Sequence, residues 1–151
     1  MALIPVQKKF INKMTVISDQ QKTLFEKSIV AFGTCDKNCK PNVNAVAACK
    51  VVSDNQVLVT DNFLNKTRIN LAENNLISLS FWDPVDGNNN VGYQFKGTSE
   101  VFTNRKWKEM VDNDPDNAGL AHKAAILVTI TEIWDLATPK LICTTEINNS
   151  Y

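Results

Sequence analysis

The length of the apolar runs constrains this chain more than any other feature. None exceeds five residues, and the longest are Ala45-Val46-Ala47-Ala48-Cys49 and Ala124-Ala125-Ile126-Leu127-Val128. Around them Val, Ile, Ala and Phe recur in short segments, several alternating with polar residues. Turn-forming clusters such as Asp36-Lys37-Asn38 and Ser53-Asp54-Asn55 separate one segment from the next. Alternation with period two places successive side chains on opposite faces of a strand, so the pattern points to a mainly β protein of short antiparallel strands. A helix crossing a bilayer needs ~20 consecutive apolar residues, which excludes a helical membrane span. Met1 to Phe10 has no long apolar stretch before Lys8 and Lys9 and does not read as a secretory signal, so a cytoplasmic protein is expected.

The spacing predicts about six strands. Ile29 to Thr34, Val43 to Val52 and Gln56 to Thr60 read as a three-stranded meander. Leu76 to Trp82 and Gly92 to Phe102 read as a hairpin whose long tip contains Asp86-Gly87-Asn88-Asn89-Asn90. Ala124 to Trp134 is a last long strand, followed by Pro139 and a short Leu141-Ile142-Cys143 segment. Helical spacing appears in three places. Ser18-Asp19-Gln20-Gln21 is a cap leading to Leu24 and Phe25; Asn65 to Asn75 puts Ile69, Leu71 and Ala72 on one side; Trp107, Met110 and Val111 recur before a turn at Asp112 to Gly119. The absence of linkers and repeats over 151 residues predicts one domain spanning 1–151. Two architectures fit this pattern: a small antiparallel barrel, in which closure removes exposed strand edges, and an open sandwich with helices on one face.

Charge narrows the function classes. Fourteen Lys and two Arg balance sixteen Asp and Glu, for a net charge of +0. A nucleic-acid protein usually carries clustered positive charge, so an oligonucleotide-binding barrel is disfavoured and no nucleic-acid partner is expected. The four Cys are too few for a disulfide scaffold. Cys49 and Cys143 sit in apolar or β-like runs and read as packing residues. Cys35 and Cys39 could hold a metal or form a redox pair, but they flank a turn composition, and the sole His, His122, is remote in sequence. A hairpin bend is the simpler reading, and no metal site is expected. His122 could donate a proton or bind haem, yet beside Lys123 at a strand entrance it reads as an exposed connecting residue. Trp82, Trp107 and Trp134 could stack on a flat ring or simply pack. No Ser-His-Asp arrangement, phosphate-binding P-loop or dinucleotide Gly fingerprint is present.

The stretch from Pro41 to Trp82 carries the chemistry. Val57-Leu58-Val59-Thr60-Asp61 ends in a loop that opens into a helix with Lys66 and Thr67 in its first turn. The start of a helix presents unpartnered N–H groups and partial positive charge; Lys66 adds a full charge and Thr67 a hydroxyl, a combination suited to a phosphate. The alternative is that Asn65 caps the helix while Lys66 and Arg68 point into solvent.

Pro41-Asn42-Val43-Asn44-Ala45-Val46, the Val-Leu-Val-Thr-Asp strand, Lys66-Thr67-Arg68 with Asn70-Leu71 and Glu73-Asn74, and Ile77-Ser78-Leu79-Ser80-Phe81-Trp82 occur in an order and spacing that resemble the flavin-binding split β-barrel family, also called pyridoxamine 5'-phosphate oxidase-like. Tyr93-Gln94-Phe95-Lys96-Gly97-Thr98-Ser99-Glu100-Val101 resembles that family's next strand, and the likeness covers roughly Phe25 to Trp134. The resemblance implies a six-stranded Greek-key split barrel and a homodimer with FMN in clefts between subunits. It also implies that Lys66 and Thr67 hold the FMN phosphate, and that Thr60 and Asp61 lie near the phosphate-ribityl end or ring edge. Val43, Asn44, Ala45 and Val46 would run beside the isoalloxazine. No catalytic side chain is implied, because the chemistry belongs to the flavin. The chain departs from the family in detail: Asn44 and Ala45 stand where Ser or Thr followed by Pro is common, and Cys39 where a turn Gly is common. No Arg follows Arg105, whereas true pyridoxamine phosphate oxidases carry an Arg-rich C-terminal substrate motif, so activity on a pyridoxal-type phosphate ester is not expected. The resemblance implies an oxidoreductase taking hydride from NADH or NADPH, with a non-catalytic carrier of flavin, deazaflavin or haem as the alternative.

Overall fold

The computed structural model describes residues 14–84 and 91–145. The Asp86–Asn90 tip therefore lies outside the described residues, as do the N-terminal residues and Glu146.

Helix α1 (Asp19–Lys27) begins at a capping box in which Ser18 and Gln21 exchange side-chain to backbone hydrogen bonds. It buries Leu24 and Phe25. The strands are β1 (Val30–Cys35), β2 (Pro41–Val46), β3 (Cys49–Ser53), β4 (Gln56–Asp61), β5 (Leu76–Asp83), β6 (Val91–Phe102), β7 (Ala124–Asp135) and β8 (Lys140–Thr144). Helices α2 (Asn65–Glu73) and α3 (Arg105–Asp112) and a 3-10 turn (Pro115–Asn117) fill the connections. All pairings are antiparallel, in the order β2-β1-β5-β6-β7-β4-β3, with β8 added to β7.

The fold is the expected mainly β split-barrel type, with two differences from the sequence reading. The sheet has eight strands rather than six, because Val43 to Val52 breaks at Ala47-Ala48 into β2 and β3, and Lys140–Thr144 pairs with β7 as a full strand. The three-stranded meander does not form: β1 and β2 make one hairpin, while β3 and β4 make another that joins the sheet through β7. Local alternation specifies strands but not which distant strand each will meet. The Cys35 to Pro41 connection is the expected hairpin bend. Asp36 Oδ1 accepts from the N–H groups of Asn38 and Lys40 at 2.8 and 2.9 Å, and Cys39 takes the left-handed φ of 62° that Gly usually supplies.

The core gathers on the inward face of this sheet. Phe25, Phe32, Phe81 and Phe95 are all fully buried. Phe81 meets Phe95 edge-on at 4.8 Å and Phe25 at 5.2 Å, the separations at which aromatic edges and faces attract. A register shift at Lys96/Gly97 brings the backbones of β6 and β7 together, and a Cβ at Gly97 would lie 2.0 Å from the Thr129 carbonyl oxygen. Only glycine fits there.

Candidate functional site

β2 is patterned inside out. Pro41, Val43 and Ala45 are exposed, with Val43 at 66%, while the polar Asn42 and Asn44 are half-buried. The asparagines face α2: Thr67 Oγ1 donates to Asn44 Oδ1 at 2.7 Å, and Asn42 Nδ2 donates to Asn44 Oδ1 at 2.8 Å. A strand that buries amides and exposes Pro, Val and Ala presents an apolar face for something else to cover.

α2 opens beside this strand. Its N-cap is Leu64, which offers no side-chain cap, so Asn65 does not close the helix. The Leu64 N–H donates to Asp61 Oδ1 at 2.9 Å, Asn65 N–H to Phe63 O at 3.0 Å, and Arg68 N–H to Leu64 O at 2.8 Å. The amides of Lys66 and Thr67 are left without a partner among the described residues. Asp61, fully buried, would be a resident anion under this helix start. Arg68 cancels it: Nε donates to Asp61 Oδ2 at 2.7 Å, while Nη2, 2.6 Å from the same oxygen, pairs by charge without being aimed at it. The field at the start of α2 therefore remains positive, with the Lys66 side chain exposed above it.

A groove of about 950 Å³ runs from this corner. It is lined by residues 45–50 at the β2–β3 bend, by Thr60 and residues 62–64, and by Met110, Val111, residues 113–117 and Leu120. Of the residues marked out by the sequence, Ala45, Val46 and Thr60 line it. Val43 shares the outward face of Ala45, and Lys66 lies two residues past Leu64. Asn44, Asp61 and Thr67 turn the other way: both Asp61 oxygens and the Thr67 hydroxyl proton have partners within the fold. The Thr67 hydroxyl is thus not free to donate outward, but its amide is.

Asn117 is among the lining residues the sequence did not reveal. It is buried at the end of the 3-10 turn and donates from Nδ2 to Thr60 Oγ1 at 3.2 Å and to Val111 O at 2.9 Å. Its only sequence signal is the Asp114-Pro115 turn start. Lys50 of β3 ties to the start of the same turn, with Nζ 2.6 Å from Asp114 Oδ2 and 3.5 Å from Asp116. The Lys50 ammonium holds the Asp114 carboxyl below its ordinary value, and Asp114 raises Lys50. Burial pushes the Cys49 thiol up to about 12.

Residues 17–137 match the family described as pyridoxamine 5'-phosphate oxidase. The chain belongs to that family. It is 32% identical over 132 residues to the uncharacterized protein MJ0282 of Methanocaldococcus jannaschii, across 84% of this chain and 85% of that one. HupZ of group A Streptococcus shares the fold with a TM-score of 0.75 at 23% identity, covering 83% of this chain and 98% of that one. An FMN-binding protein from Syntrophomonas wolfei shares it with a TM-score of 0.66 at 15% identity, covering 76% and 82%. The two structural likenesses speak to fold.

The remaining candidates lie elsewhere. Trp82 is 53% exposed at the end of β5, Trp134 Nε1 donates to Glu132 at 2.8 Å, and Lys106 stacks over Trp107 at 4.3 Å. His122 Nδ1 lies 2.7 Å from Asp112 Oδ1, and the His122 backbone N–H donates to Asn62 Oδ1. Asn74 Nδ2 donates to Cys35 Sγ at 3.0 Å. Among the described residues no group of His, Cys, Asp and Glu is arranged to hold a metal, and no helix is long and apolar enough to cross a membrane.

Proposed function

We propose that this chain binds FMN and passes electrons through it, with NADH or NADPH as the hydride source. The observation that carries the reading is the uncapped start of α2, where the amides of Lys66 and Thr67 have no partner among the described residues and Asp61 is neutralised, next to Leu64, which lines the groove. Anions at a helix start gain hydrogen bonds and favourable field together, and a phosphate would take both from the Lys66 and Thr67 backbones. The groove lies within the ~300–1,000 Å³ range of ligand pockets. Its lining at Ala45 and Val46 suits a flat apolar ring.

When bound, the flavin supplies the redox chemistry; the chain supplies binding and orientation. Lys66 and the α2 amides anchor the phosphate, Thr60 orients the neighbouring part of the cofactor, and the β2 backbone flanks the ring. The inverted face of β2 supports a homodimer in which a second copy covers Pro41, Val43 and Ala45 and excludes water from the ring. The proposed setting is the cytoplasm.

Titration with FMN tests this. One FMN per chain is expected, and Lys66→Glu weakens binding by about a hundredfold, since it places a carboxylate at a phosphate. Unchanged affinity in this variant would place the anchor elsewhere. Anaerobic bleaching of bound FMN by NADH or NADPH separates an oxidoreductase from a carrier, and gel filtration tests the dimer.

A further inference from the structure

Asn117 holds an acceptor with nothing to accept. The residue is 2% exposed and lines the groove, and its Oδ1 has no hydrogen-bond partner among the described residues. Its orientation is determined, because Nδ2 must face the Val111 carbonyl, an acceptor, as well as Thr60 Oγ1. Buried polar atoms in folded proteins are overwhelmingly paired, and an exception calls for a reason. Thr60 completes the arrangement: its Oγ1 accepts from Asn117, and its own proton has no acceptor recorded among the described residues. The pair joins two elements that line the groove, Thr60 on β4 and Asn117 on the 3-10 turn.

Resting on the flavin reading above, we infer that Asn117, held in place by Thr60, is a cofactor-binding residue whose Oδ1 accepts from an uncharged donor on the body of the flavin. Two kinds of such donor exist, the imide N–H of the ring and the three hydroxyls of the ribityl chain. An amide carbonyl carries no net charge, so it selects a neutral donor without attracting a cation. It also discriminates among flat cofactors. The rim of a haem carries methyl, vinyl and propionate groups, which at neutral pH offer no donor, so Asn117 contributes nothing to haem binding. The oxygen is covered in the free chain, and the Pro115–Asn117 turn must ease back slightly for a donor to reach it.

Wild-type protein and Asn117→Leu are titrated with FMN, N3-methyl-FMN, an FMN analogue lacking all three ribityl hydroxyls and haemin, with thermal melts confirming that the variant is folded. On wild-type protein one of the two analogues binds roughly tenfold more weakly than FMN, the loss expected for one neutral hydrogen bond, and which analogue it is identifies the donor. Asn117→Leu binds FMN roughly tenfold more weakly, binds the affected analogue as wild type does, and leaves haemin unchanged. The inference is overturned if both analogues match FMN on wild-type protein, a comparison that needs no variant. It is also overturned if Asn117→Leu weakens all four ligands alike. Wild-type protein that binds no flavin overturns the cofactor assignment itself, a separate result.

Discussion

Replacing Arg68 with Met removes the charge that balances Asp61 while keeping most of the side chain's apolar stem. Asp61 is fully buried, and Arg68 is 39% exposed. Breaking a fully buried pair costs ~3–5 kcal/mol, because the surviving charge is left without compensation. Here the guanidinium is partly solvated in the native protein, and Asp61 keeps the Leu64 N–H, so about 2 kcal/mol is the appropriate scale. For a domain of this size that lowers the melting temperature by about 4–8 °C. The double variant Arg68→Met with Asp61→Asn removes the orphaned charge and recovers part of the loss, giving a coupling energy of about 1 kcal/mol. A second readout tests the electrostatics: Arg68→Met weakens FMN binding, since Asp61 then opposes the phosphate, and Asp61→Asn restores it. Arg68→Met within about 0.5 kcal/mol of wild type would mean that the pair is worth no more than an ordinary surface pair and that buried Asp61 does not depend on it.

Three further perturbations follow from the fold. Gly97→Ala forces a methyl against the Thr129 backbone and costs about 3 kcal/mol or more, measured by urea unfolding, because neither strand can retreat without losing its ladder. The Lys50–Asp114 pair gives a pH signature. Asp114 is lowered in the folded state, so its contribution is present above the ordinary carboxyl value and lost as pH falls through the lower folded value; Lys50 is raised, so its contribution persists until strongly alkaline pH. Urea midpoints at pH 6 and pH 3 therefore differ more for wild type than for Lys50→Met. Among the thiols, exposed Cys39 reacts first with a disulfide reagent at pH 8, while Cys49, buried and pushed up to about 12, stays unreactive until the chain unfolds.

Much of this was legible in the sequence because it is local. The Ser18 capping box, the Cys35–Pro41 bend and the strands β5 to β7 are specified by residues within a few positions of one another. What was not legible depends on partners distant in the chain. Thr67 has the residue type of a phosphate donor, yet its hydroxyl proton goes to Asn44, 23 positions away. Asp61 has the type of an exposed loop acid but is buried against Arg68. Asn117 reads as one more polar turn residue until the turn packs against Thr60, 57 positions earlier. Composition gives the inventory of donors and acceptors; tertiary pairing decides which stay free.

On the proposed reading, that sorting also gives the cofactor a direction. Where α2 begins, next to the lining residue Leu64, the α2 amides, Lys66 and the Arg68-balanced Asp61 leave net positive character. Within the lining, Lys50 faces two carboxylates, Asp114 and Asp116, and leaves net negative character. A ligand with an anionic tail and a neutral ring gains with its tail at α2 and is repelled with its tail at the carboxylates. This difference in charge suppresses the reversed orientation even where the apolar lining would accept it. The prediction is directional: Asp116→Lys leaves the α2 corner intact and relaxes this discrimination, so a second, weaker equivalent of inorganic phosphate binds where wild type takes one. A single phosphate site in both proteins would show that the groove does not sort its ligand by charge.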